Sequence, residues 1–81
     1  MKIYKFTASY CGACKQLEKL LEPFRAKITE VSVDTEEGVE IANKYGVRGN
    51  LPVVIVEDNG EVVDVIAGLH PLEAYEKWLK G

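Results

Sequence analysis

Cys11 and Cys14 are the two cysteines of this 81-residue chain, and they stand in the stretch YCGACKQLEK with only Gly12 and Ala13 between them. Two thiols at that spacing could do three kinds of work. As a passive disulfide they would close a very short loop, and in the chain-entropy view stabilisation grows with loop length, so the staple would contribute little. As part of a zinc site they would need two further ligands. The chain offers His70 and a carboxylate far along the sequence, or else a second copy of itself, and no resident metal is expected. As a redox pair the spacing has a geometric account. A helix that begins at Cys11 sets this thiol beside free backbone N–H groups and the positive end of the helix dipole, which favour thiolate over thiol. Cys14 then falls on the next turn, on the inward stripe with Leu17 and Leu21. Dithiol exchange needs an accessible thiolate that attacks a target disulfide and a neighbouring thiol that expels the target. The pattern therefore assigns Cys11 as nucleophile and Cys14 as resolving thiol. Gly12 and Ala13 are small enough to let a target backbone approach. Lys15 adds positive charge nearby, and reads equally well as a solvated helix-face lysine.

The elements that hold this pair follow from periodicity. Ile3, Tyr4 and Phe6 form a short apolar strand that ends at the small residues Thr7, Ala8 and Ser9. After the cysteines, Leu17, Leu20, Leu21 and Phe24 share one helical face, and Pro23 should end or kink that helix. A second strand is expected between Ile28 and Val33. Asp34 with Glu37 looks like an acidic capping box for a second helix, with Val39, Ala42 and Tyr45 as its inward stripe and Gly46 as its left-handed cap. Residues 53–56 and 62–66 are β-branched runs joined by Asp58-Asn59-Gly60, a strong hairpin turn, so that pair is antiparallel. Leu72, Tyr75, Trp78 and Leu79 recur at helical spacing after Pro71. The order βαβαββα, with a right-handed crossover joining the first two strands in parallel, predicts an α/β fold: a mixed four-stranded sheet flanked by three helices.

Composition bounds the rest. At 47% hydrophobic and 28% charged residues the chain reads as one globular domain over residues 1–81. A domain of this size buries only about 60 to 65% of the surface its unfolded chain exposes, so its chemistry should sit at the surface. Thirteen acidic against ten basic residues, with no dense basic run, argue against a nucleic-acid partner. No apolar stretch approaches the roughly 20 residues of a membrane span, and Met1 to Phe6 lack the pattern of a secretory signal, so a cytoplasmic, membrane-free protein is expected.

YCGAC, taken with YGVRGNLPVVIVEDNGEVVDVIAG from Tyr45 to Gly68, resembles the thioredoxin superfamily over nearly the whole chain. Tyr10 replaces the usual tryptophan and Ala13 the usual proline of its active-site pattern. The resemblance implies a minimal thioredoxin fold and a protein dithiol-disulfide oxidoreductase that needs no bound cofactor. It implies a shallow substrate groove of Tyr10, Gly12, Ala13, Leu51, Pro52 and Gly68. There Pro52 matches the cis-proline and Leu51 binds target backbone; a trans proline opening a strand is the plain alternative. Implied partners are disulfide-containing proteins, ribonucleotide reductase among them, and a thioredoxin reductase-type electron donor, with the chain acting as a monomer.

The size is that of glutaredoxins, but the CPYC, Thr-Val-Pro and acidic glycine motifs of that group are here CGAC, Asn-Leu-Pro and Ala-Gly-Leu-His. The chain is similar to small redoxins of the archaeal and phage kind. A glutathione-dependent glutaredoxin and a non-catalytic binding module on the same fold are the competing readings. One departure concerns proton transfer. The family's buried acid on the first core strand falls at Lys5, and its partner lysine at Glu30, so the two signs are exchanged. Lys5 and Glu30 are expected either to pair across neighbouring strands beneath Cys14 or to reach solvent separately.

Overall fold

The computed structural model describes residues 1–47 and 49–80. Strand β1 (Lys2–Thr7) leads into helix α1 (Gly12–Leu20) and a 3-10 turn at Glu22–Lys27; β2 (Thr29–Ser32) is followed by α2 (Glu36–Lys44), then β3 (Val53–Asp58), β4 (Glu61–Ala67) and α3 (Glu73–Leu79). The sheet order is β2-β1-β3-β4, with β1 and β2 parallel and the other pairs antiparallel. This is the expected mixed four-stranded sheet with three α-helices. Pro23 sits in the first turn of the 3-10 segment, so the first helix stops at Leu20 as its missing donor requires. The hairpin turn has both Asn59 and Gly60 at positive φ, 53° and 84°, which is the twist that suits two antiparallel strands.

Each face of the sheet buries its own core. On one side Ile3, Val54, Val56 and Ile66 pack against Leu17 and Leu21 of the α1 segment and Tyr75 and Leu79 of α3. On the other, Phe6, Val31, Val53 and Ile55 pack against Ala42, with Ile41 and Tyr45 partly buried beside them.

Two expectations about α2 are corrected. Its N-cap is Thr35, whose hydroxyl accepts the Gly38 N–H at 2.9 Å; Asp34 is not the cap. The carboxylate of Asp34 instead accepts the Ser9 N–H at 2.8 Å, a tertiary bond across 25 positions that outcompetes the local one. Val39 is exposed, and Gly38 occupies the buried position. A Cβ at Gly38 would overlap the Ser32 carbonyl oxygen, so the helix lies too close to β2 for any side chain there. Gly46 caps the other end at φ 73°, and the Val47 N–H closes onto the Ala42 carbonyl at 2.8 Å.

Candidate active site

The cysteines lie where β1 hands over to α1. Cys11 is the N-cap, with extended backbone angles of φ −101° and ψ 105°, and Cys14 is the third helical residue. The Cys11 N–H donates to the Ala8 carbonyl at 3.2 Å, and Cys11 Sγ accepts the Cys14 N–H at 3.1 Å. The two sulfurs are joined as a disulfide. Cys11 is half-buried, whereas Cys14 is 3% exposed and sits beside Leu17 on the inward stripe. The first turn of α1 carries no acidic residue, so nothing there competes with a negative sulfur for the helix dipole.

A second loop meets this one. The Leu51–Pro52 bond is cis and Pro52 is fully buried. Val53 stands opposite Phe6, so Pro52 lies at the end of the sheet from which the cysteine segment departs. Gly68, at φ 83°, donates its N–H to the Pro52 carbonyl at 2.8 Å. Tyr10, 79% exposed, and Leu51 line one open cleft of about 240 Å³, with Val33, Val39 and Val47 completing its apolar wall. Gly12 is exposed with open space where a Cβ would stand, and Ala13 is half-buried. The sequence reading placed Val39 in the core and did not single out Val47, because only the tertiary placement of α2 and the loop after it brings them to the cleft beside Tyr10. Asp34 was assigned to the wrong partner for the same reason; its bond to Ser9 fixes the loop just ahead of the cysteines.

Lys5 is buried, and its ammonium lies 3.6 Å from Glu30 Oε2, directly across the parallel pair in which Lys5 and Glu30 are register partners. Of the two alternatives for these residues, the paired one is realised. Glu30 remains half-exposed at its side chain (55%); among the clefts it lines are one with Lys5 and one of about 240 Å³ with Cys14, Glu18 and Asp34. The carboxylate thus borders both the buried amine and the space beside the sheltered sulfur. Lys15 is exposed at the rim of the latter cleft. His70 is occupied elsewhere, with Nε2 2.7 Å from the Ala67 carbonyl. Among the described residues no group of three or more His, Cys, Asp and Glu side chains is placed so that it could hold a metal ion.

The family model described as Thioredoxin matches residues 1–81. The thioredoxin of Bacillus subtilis is 38% identical over 76 residues, covering 89% of this chain and 72% of that protein. Thioredoxin M4 of Arabidopsis thaliana chloroplasts is 33% identical over 82 residues, covering 96% of this chain and 42% of the longer relative. Among solved structures, reduced Schistosoma mansoni thioredoxin superposes with a TM-score of 0.79 at 30% identity, over 96% of this chain and 74% of that one. A paired CxxC at a helix start, on this sheet order and with these relatives, makes the chain a thiol-disulfide oxidoreductase, and it belongs to the thioredoxin family.

Proposed function

We propose that the chain reduces disulfides in other proteins by two successive exchanges. The reduced Cys11 thiolate attacks one sulfur of the target, forming a mixed disulfide and releasing the first target thiolate. Cys14, as thiolate, then attacks Cys11 Sγ and releases the second. The product is the Cys11–Cys14 disulfide present here, and two electrons from a thioredoxin reductase-type donor restore the dithiol. The observation that carries this reading is the unequal burial of two bonded sulfurs at the first turn of one helix, with the reachable one at the cap.

Tyr10, Gly12, Ala13, Leu51, Pro52 and Gly68 form the groove in this reading, with the Leu51 backbone pairing with the target. Cys14 must lose its proton before it attacks. Lys5 and Glu30 are the candidates for that proton transfer; in this reading Glu30, which borders the same cleft as Cys14, is the acceptor and Lys5 holds it in place. Lys5→Met should slow resolution of the mixed disulfide and shift its pH dependence; an unchanged profile removes Lys5 from the mechanism. Targets of the ribonucleotide reductase kind, a monomeric state and a cytoplasmic location complete the proposal. No described helix is long and apolar enough to cross a membrane.

Reduction of insulin tests the whole. Cys11→Ser should abolish turnover, and Cys14→Ser should accumulate the target as a stable mixed disulfide. Turnover supported by glutathione and glutathione reductase alone would favour the glutaredoxin reading. Absent turnover with target binding retained in Cys11→Ser would favour a binding module.

A further inference from the structure

β4 is an outer strand of the sheet, so one side of it presents backbone N–H and C=O groups to the surroundings. Gly68 points its N–H inward, to the Pro52 carbonyl. Inward and outward groups alternate along an antiparallel strand, so Val65 and Ala67 direct theirs to the open edge. The edge is also apolar: Val62, Val63 and Val65 are 47%, 46% and 54% exposed. Lysine and proline, the common guards of such an edge, are absent from β4.

Three other features close it. Val56 faces Asp64 while Glu57 faces Val62, so Val63 is an extra residue, and a bulge of this kind bends the strand away from regular pairing. Above the bulge, Asp64 Oδ1 accepts the outward Val65 N–H at 2.9 Å. The other oxygen of the same carboxylate accepts the Trp78 indole N–H at 2.7 Å and lies 4.0 Å from the Lys77 ammonium, which ties the blocking group to α3. Two residues along the strand, the outward Ala67 carbonyl is taken by His70 Nε2 at 2.7 Å. Both side chains satisfy backbone groups that an added strand would need.

We infer that the β4 edge is a latent pairing surface for a second copy of this chain, kept shut by Asp64 and His70. An antiparallel pair about a two-fold axis through Val65 is self-complementary. It sets Val65 against its symmetry mate and Val63 against Ala67, which are apolar pairs on one face of the strand, with Asp64 opposite Ile66 on the other. That register uses the Val65 N–H of each copy and the Ala67 carbonyl of each copy. These are the two groups that the side chains occupy, so the wild-type chain forfeits the pairing that its apolar edge otherwise favours. The inference is independent of the redox chemistry.

The test is sedimentation equilibrium of the oxidised full chain and of the Asp64→Ala/His70→Ala double variant, with amide exchange read residue by residue. Wild type should stay monomeric to about 1 mM, and the double variant should self-associate at least about tenfold more tightly, with new protection confined to residues 63–67. A double variant that stays monomeric over the same range, one whose protection maps elsewhere, or a wild type already paired through β4 overturns the inference. Should the double variant fail to fold, His70→Ala is read alone. Concentration-dependent shifts of the Val65 and Ala67 amides support the inference, and concentration independence refutes it.

Discussion

Helices α1 and α2 begin in the same way and serve different ends. Each is nine residues long, each follows a strand of the parallel pair, and in each the N-cap side chain accepts the N–H of the residue three places on. At α2 the acceptor is the Thr35 hydroxyl, 2.9 Å from the Gly38 nitrogen; at α1 it is Cys11 Sγ, 3.1 Å from the Cys14 nitrogen. Glu36 and Glu37 occupy the first turn of α2 and satisfy its dipole, whereas α1 has no acid there. At the third helical position α2 has a glycine pressed onto the Ser32 carbonyl, and α1 has the buried Cys14. One helix start is therefore a joint in the fold and the other a place for reactive sulfur. Cap geometry alone does not make a site; the capping atom and the freedom of the dipole do.

The largest expected effect separates the two third positions. Gly38→Ala should cost about 4 kcal/mol or prevent folding, because backbone must move to admit one methyl group. A urea unfolding curve near that of wild type would show that α2 does not approach β2 so closely. Next comes the cap of α2: Thr35→Ala should cost about 1 kcal/mol in the same assay. Cys11→Ser, in the reduced protein, should cost much less, since serine caps as well as threonine does. A smaller effect probes the dipole. Ala13→Glu gives α1 the acidic first turn of α2, and alkylation of Cys11 in the reduced protein should slow about threefold, the difference shrinking in high salt.

The smallest effect belongs to the far end of α2. The hydrogen bond that the Tyr45 phenol donates to Glu57 pushes its pKa above the ordinary 10.0, and burial adds to the shift. The folded state thus holds this proton more tightly than the unfolded chain. Its contribution is complete below pH 10 and is lost as pH rises from there toward the folded-state value. Stability measured from pH 9 to 11.5 should fall more steeply for wild type than for Tyr45→Phe; parallel curves would mean that the bond to Glu57 is not made.

The redox pair was legible because its chemistry is local. A thiol at a helix start and another one turn on can be placed by counting residues, and the burial of Cys14 beside Leu17 follows from the same count. The hairpin was legible for a similar reason, since Asp58-Asn59-Gly60 permits few other paths. The beginning of α2 was not. Asp34 and Thr35 are both good caps by type, and the choice fell to Thr35 because the Ser9 N–H, 25 positions away, claimed the Asp34 carboxylate. Val39 looked like core by spacing, yet the near contact of Gly38 with β2 rotates α2 so that Val39 faces the cleft beside Tyr10 instead.

Sequence alone determined the order of elements, the parallel pairing of β1 with β2, the antiparallel hairpin of β3 and β4 and the identity of the two sulfurs, because these depend on patterns within short stretches of chain and on the handedness of the crossover. The tertiary structure decided that Lys5 is buried against Glu30, that Leu51–Pro52 is cis, and which side chains plug the edge of β4. Each of those is a contest between partners distant in sequence or between backbone states of similar energy, and only packing settles such contests.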